Sequence, residues 1–175
     1  DICFVPDGDY ASFIEQYTGQ SSEPGDFVDK EGKVLGKHKG QIHYTIGQRR
    51  GLGISAPESL YVCGKSLDSN EVILGGKQDL MSNYCYINDI NLIPWDHLDA
   101  PIKCKVKTRY RQPEQPATVE QIGEDLIKIT FDEPQRAVTP GQAAVLYDDD
   151  MVLGGGTILP EGLASTMTTS QGTNI

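Results

Sequence analysis

The sequence predicts a mainly β protein: a small β-rich central domain followed by an antiparallel six-stranded β-barrel, with one short N-terminal helix. Three observations carry this reading. Nineteen glycines and ten prolines in 175 residues break the chain into many short elements. Residues 84–93, 102–110, 117–122, 126–131, 142–147 and 151–158 are strand-like runs separated by turn clusters such as Gly123-Glu124-Asp125 and Asp148-Asp149-Asp150. Six short strands in an open sheet would leave two edges of unpaired backbone groups, so closure into a barrel is favoured.

Taken in order, residues 1–25 form a connector. Ile2-Cys3-Phe4-Val5 leads into Pro6 and the acidic turn Asp7-Gly8-Asp9. Tyr10, Phe13, Ile14 and Tyr17 recur at i, i+3, i+4 and i+7, which puts them on one face of a two-turn helix. Asp9 is its expected N-cap and Gly19 its terminator. Residues 26–77 form the small domain. Phe27-Val28 and Lys33-Val34-Leu35 flank the turn Lys30-Glu31-Gly32, while residues 60–65 and 71–74 flank Asp68-Ser69-Asn70, giving two hairpins. Between them, residues 40–53 hold too many glycines for a helix and too many hydrogen-bonding groups for a plain core strand. Two readings of that stretch stay open, a structural loop and a brace against RNA or another domain. Residues 78–160 form the barrel. Thr139-Pro140-Gly141 signals a tight turn, and Gly154-Gly155-Gly156 signals a bulge or a close backbone approach in the last strand. The tail, residues 161–175, is poor in hydrophobic residues and is expected to be disordered.

With 38% hydrophobic residues the chain can bury one moderate core or two small ones. A net charge of −10 argues against indiscriminate binding of nucleic acid or membrane, so a polyanion must be met by a local patch. No apolar stretch is long enough to span a membrane and no signal peptide is visible. Cys3, Cys63, Cys85 and Cys104 show neither Cys-x-x-Cys spacing nor the density of a disulfide scaffold, which points to a reducing cytosol. The last three sit in apolar or alternating contexts and read as small buried hydrophobes. The chain begins Asp1-Ile2-Cys3 without methionine, and is expected to be an excised piece of something longer.

One run stands out against the acidic background. Lys103, Lys105, Lys107, Arg109 and Arg111 occupy alternate positions, so a strand through them would line five of the fifteen cations along one face. Cys104, Val106 and Thr108 would point inward. A solvated strand face is the common meaning of such a pattern. Here the run ends in Arg109-Tyr110-Arg111-Gln112, and guanidinium forks beside an aromatic ring suit phosphates and unstacked bases. A second basic region lies between Lys30 and Arg50, with six cations.

Other chemistries find no support. There is no phosphate loop of the Gly-x-x-x-x-Gly-Lys-Ser/Thr type and no Gly-x-Gly-x-x-Gly after a strand. His38, His43 and His97 lack the convergent donors a metal requires and read as solvated or core residues. Cys3 has two readings, a buried residue between Ile2 and Phe4 or a redox-active thiol on a mobile segment.

Five motifs in register bring a resemblance. Asp1-Ile2-Cys3-Phe4, the stretch from His43 to Ile54, Lys107-Thr108-Arg109-Tyr110-Arg111-Gln112, Phe131-Asp132-Glu133-Pro134 and Val138 to Val145 together resemble the bacterial tRNA-specific 2-thiouridylase family. The resemblance runs from Asp1 to about Ile158 and covers the carboxyl-terminal half of such an enzyme. It implies an enzyme that replaces the C2 oxygen of a wobble uridine in the tRNA anticodon arm with sulfur. It implies too that ATP and Mg bind in an amino-terminal ATP-pyrophosphatase domain absent here, along with a first catalytic cysteine. On that resemblance Cys3 matches the second catalytic cysteine, the carrier of a persulfide supplied by a sulfur-donor protein. Arg109, Tyr110 and Gln142 match tRNA-contacting positions of the barrel, with Lys107, Arg111, Arg49 and Arg50 as further candidates. No cofactor is expected on this fragment, which alone should not thiolate tRNA. The competing reading is a non-catalytic RNA-binding barrel of the translation-factor kind, which leaves Cys3 and residues 40–53 unexplained.

Overall fold

The computed structural model describes residues 10–19 and 21–160. It is mainly β, with one α-helix, and divides into two compact units between Leu80 and Met81. Cys3 and Asp9 lie outside the described residues, as does the tail from residue 161.

The first unit opens with α1 (Tyr10–Thr18), which ends where expected: the Gly19 N–H donates to the Glu15 carbonyl at 2.9 Å with φ at 66°. The helical period is present but the burial it suggests is not. Ala11 is the buried residue of the helix, and Tyr17 is 84% exposed. Amphipathic spacing is enough to specify the helix, and says nothing about what its apolar face meets.

Strands β1 (Gly25–Val28) and β2 (Val34–His38) form the first hairpin, and β3 (Tyr61–Ser66) and β4 (Glu71–Gly75) the second. Asp29 Oδ1 accepts the Glu31 and Lys33 N–H groups and so closes the first turn. The order β2-β1-β4-β3 joins the hairpins through a parallel pairing of β1 with β4, Phe27 opposite Val72. An isolated hairpin is barely stable in water, and this junction fully buries both residues. Residues 40–53 serve this core. Tyr44 and Leu52 pack with Phe27, Val62, Val72 and Leu74. The loop is stitched to β3 as well, the Gly47 N–H donating to the Val62 carbonyl at 2.8 Å and the Val62 N–H to the Gln48 carbonyl at 2.9 Å. His38 is a core residue. Its Nδ1 accepts the Gly40 N–H and its Nε2 meets the Asn70 carbonyl, which assigns the ring proton to Nε2.

The second unit is a closed barrel in the order β10-β5-β8-β7-β6-β9, made of β5 (Met81–Leu92), β6 (Ile102–Lys107), β7 (Gln115–Gly123), β8 (Leu126–Arg136), β9 (Ala143–Asp148) and β10 (Met151–Ile158). Ile87, Val106, Val119, Ile127, Ile129 and Leu146 fill its interior. All six strands predicted from the sequence are present; the first begins three residues earlier than expected, at Met81, and two others differ at their far ends. The fourth runs on through Phe131-Asp132-Glu133-Pro134 to Arg136. Pro134 does not stop it, because it falls in an irregularity between the pairs Tyr84–Thr130 and Ser82–Gln135, where no ladder bond is asked of its missing N–H. The second strand stops at Lys107, where the chain enters the turn toward Gln112. In β10, an added Cβ at Gly154 would stand 2.3 Å from the Asn91 carbonyl oxygen, and at Gly155 2.3 Å from that of Ala144. Register shifts against both neighbours occur in this stretch, so the glycine run marks both a bulge and a close approach.

The antiparallel order sorts the barrel connections into two ends. Connections β6–β7 and β8–β9 share one end with Arg109, Arg111 and Arg136. The other end carries connections β5–β6, β7–β8 and β9–β10, with exposed carboxylates at Asp96, Asp99, Glu124, Asp125 and 148–150.

Candidate nucleic-acid interface

The expected five-cation strand face is narrower than its sequence pattern. Lys103, Lys105 and Lys107 alternate on β6, whereas Arg109 and Arg111 fall in the turn beyond it. Lys105 Nζ is 2.9 Å from Asp149 Oδ1, and Lys107, only 26% exposed, reaches Glu114 at 3.4 Å. Acidic residues of neighbouring turns therefore neutralise much of the strand. The cationic character moves to the barrel end.

Two segments meet there. In the β6–β7 turn the Gln112 N–H donates to the Arg109 carbonyl at 3.1 Å, and Tyr110 is thrown outward to 93% exposure beside the exposed Arg111. In the β8–β9 connection, Thr139-Pro140-Gly141-Gln142 closes a tight turn, with the Gln142 N–H donating to the Thr139 carbonyl at 3.2 Å and Gly141 at φ 80°. Gln142 is exposed and is anchored to β10 through its own carbonyl, which accepts the Ile158 N–H at 2.8 Å. The glycine-proline signal in the sequence named this turn correctly.

Arg109 connects the two segments. Its Nε and Nη2 donate to the Ala137 carbonyl at 3.1 and 2.8 Å, and Nη2 also donates to Thr139 Oγ1 at 2.8 Å. The half-buried guanidinium is held below its ordinary pKa first by desolvation and then by the neighbouring Arg136 cation. A second link runs in parallel: Gln112 Nε2 donates to Gln135 Oε1 at 3.1 Å, and the buried Gln135 donates onward to the Glu133 carbonyl at 2.7 Å. Arg109, Tyr110, Arg111 and Gln142 are thus brought to one place. Lys107 stands just behind them on β6. Arg136, Ala137 and Gln135 carry no signal of this role in the sequence, because Phe131-Asp132-Glu133-Pro134 looks like the end of a strand rather than its passage to the same end.

Arg49 and Arg50 belong to the first unit, where both are exposed. Gln48 shapes their loop, accepting the Thr45 N–H and donating to the Arg50 carbonyl, each at 3.0 Å. Arg49 lines a shallow pocket of about 350 Å³ with residues of the 51–60 segment.

The described cysteines are not poised for chemistry. Burial pushes the Cys85 thiol up to about 12 and Cys104 up to about 11, and raises Cys63 as well. Cys85 is buried as expected, while Cys63 and Cys104 are half-buried. Among the described residues no group of His, Cys, Asp or Glu could hold a metal ion.

Residues 82–158 match the model of the aminomethyltransferase beta-barrel domain, and residues 11–76 that of the tRNA methyl transferase PRC-barrel domain. The tRNA-specific 2-thiouridylase MnmA of Clostridioides difficile is 46% identical over 158 residues, which are 90% of this chain and 44% of that protein. The chain is thus similar, over nine-tenths of its length, to the carboxyl-terminal part of tRNA-specific 2-thiouridylases. MnmA of Carboxydothermus hydrogenoformans is 45% identical over the same length, covering 90% of this chain and 43% of that relative. MnmA of Acetivibrio thermocellus is 46% identical, with 90% and 44% covered. The chain spans less than half the length of these thiouridylases and matches their carboxyl-terminal part. Within the family match, the PRC-barrel model falls on the small four-stranded sheet and the beta-barrel model on the closed barrel.

Proposed function

We propose that this chain is the tRNA-gripping part of an enzyme that replaces the C2 oxygen of the anticodon wobble uridine with sulfur. The observation that carries the reading is the convergence of Arg109, Tyr110, Arg111, Arg136 and Gln142 at one barrel end while carboxylates crowd the other. An acidic protein cannot attract RNA by its overall field, and this end also carries Glu114, Asp132 and Glu133, so RNA is met by the local guanidinium groups and the turn that presents them. The guanidinium groups suit phosphates and the projecting Tyr110 ring suits an unstacked base of the anticodon loop.

In this reading ATP and Mg act in the preceding domain of the full-length enzyme, where adenylation turns the C2 oxygen into a leaving group. Cys3 carries a persulfide loaded by a sulfur-donor protein. The terminal sulfur attacks C2, AMP departs, and the first cysteine breaks the sulfur–sulfur bond by forming a disulfide with Cys3. This chain alone neither activates the uridine nor thiolates it. It works in the cytoplasm, where its thiols stay reduced.

The test uses an anticodon stem–loop RNA with uridine at the wobble position. The chain should bind it with an affinity that falls as salt rises, and should incorporate no sulfur into it. Cys3→Ser in the full-length parent should abolish thiolation; retained thiolation would leave an RNA-binding barrel without a catalytic thiol.

A further inference from the structure

Ala137 is the strained point of the interface. It is a buried, non-glycine residue at φ 54°, in the left-handed region that an L side chain occupies only at a cost. Its carbonyl accepts three hydrogen bonds: two from the Arg109 guanidinium, and one from the Thr139 hydroxyl at 2.9 Å. The residue that needs holding is therefore the one Arg109 holds.

We propose that Arg109 is a positioning residue for RNA, a clip that keeps the β8–β9 connection in its left-handed conformation so that Gln142 and Tyr110 are presented together. Arg109 has the geometry for this and lysine does not. The guanidinium offers Nε and Nη2 to one carbonyl in a fixed fork and Nη2 to the neighbouring hydroxyl, whereas an ammonium is a point charge without that shape. Without the clip, Ala137 is free to return to an ordinary negative φ, and the turn at Thr139–Gln142, which begins two residues on, moves with it. The Gln112–Gln135 bond fixes the base of the turn but leaves Ala137 untouched. The role rests on the RNA reading above, and it separates Arg109, which works through the loop, from Tyr110, which faces outward.

The experiment compares Arg109→Ala, Arg109→Lys and the double variant Arg109→Lys with Ala137→Gly in the full 175-residue chain. Backbone amide spectra are recorded without RNA, and affinity is measured for the wobble-uridine stem–loop. Arg109→Lys should move the amides of residues 137–142 and weaken binding about tenfold, as far as Arg109→Ala, although it keeps the charge. Glycine bears no penalty at positive φ, so the double variant should return both the amides and the affinity toward the original. The proposal falls if Arg109→Lys leaves the loop amides in place, if it preserves the affinity that Arg109→Ala loses, or if the double variant fails to recover binding. Should Arg109→Lys not fold, Thr139→Val, which removes the hydroxyl partner of Nη2 and of the Ala137 carbonyl, must shift the same amides and weaken binding, or the clip is wrong. If the unaltered chain does not bind the RNA at all, the RNA reading fails, while the amide shifts still judge the clip.

Discussion

Replacing Tyr110 by alanine separates recognition from stability more cleanly than any other change at this end of the barrel. The ring is 93% exposed, so truncating it forfeits almost no buried apolar surface and the melting temperature should stay within about a degree. Its value lies in what it can stack on. Base–aromatic stacking is worth about 1–3 kcal/mol per base, and about 1.4 kcal/mol is tenfold in affinity, so Tyr110→Ala should weaken stem–loop binding about 5- to 150-fold. Because the ring carries no charge, the slope of log affinity against log salt should not change. Fluorescence anisotropy across a salt series measures both quantities. Unchanged affinity, or a loss accompanied by a lower melting temperature, would refute the assignment of Tyr110 to an RNA base.

Charge and packing supply further predictions. Arg111→Ala or Arg136→Ala should each lower the magnitude of the salt slope by about 0.7–0.9 for every phosphate the missing guanidinium no longer neutralises; an unaltered slope in both would mean that neither side chain meets a phosphate. Gly155→Ala places a methyl 2.3 Å from the Ala144 carbonyl oxygen, and thermal unfolding should show a loss of about 1–3 kcal/mol or more as β9 and β10 are pushed apart. The Cys85 thiol keeps its proton up to about pH 12 in the folded chain but loses it near 9.0 when unfolded. The unfolded state then binds fewer protons, so stability should fall as pH rises from about 9 toward 12, and Cys85→Ala should flatten that limb. The Lys30–Asp79 pair acts at both extremes. Asp79 is held below its usual value by Lys30 and the Gly76 N–H, so its contribution is present above about 3.8 and is lost as pH falls; Lys30 is raised by Asp79, so its contribution is complete below about 10.5 and is lost as pH rises further. Asp79→Asn should reduce both slopes in chemical denaturation.

Local signals were readable where a single stretch of chain decides its own conformation. Gly19 ends the helix, Gly141 makes its turn, and the six barrel strands lie where alternation and turn residues put them. What the sequence withheld depends on residues far apart in the chain. The parallel pairing of β1 with β4 joins segments more than forty residues apart, and no periodicity announces it. Tyr44 and Leu52 look like loop residues because their stretch has no period, yet they are core. The lysines of β6 look like an open patch because Glu114 and Asp149, which pair with them, enter from other connections. Arg109 stands out in the sequence by its guanidinium and its neighbours; its grip on Ala137 does not, because nothing in an alanine announces a positive φ.

Which end of the barrel meets RNA decides the rest. Titrating the isotope-labelled chain with the wobble-uridine stem–loop and following every backbone amide tests this most directly. Shifts confined to residues 108–112 and 136–142, with those at 96–99 and 148–150 unmoved, are predicted. Shifts concentrated at the acidic end, or none at all at saturating RNA, would contradict it.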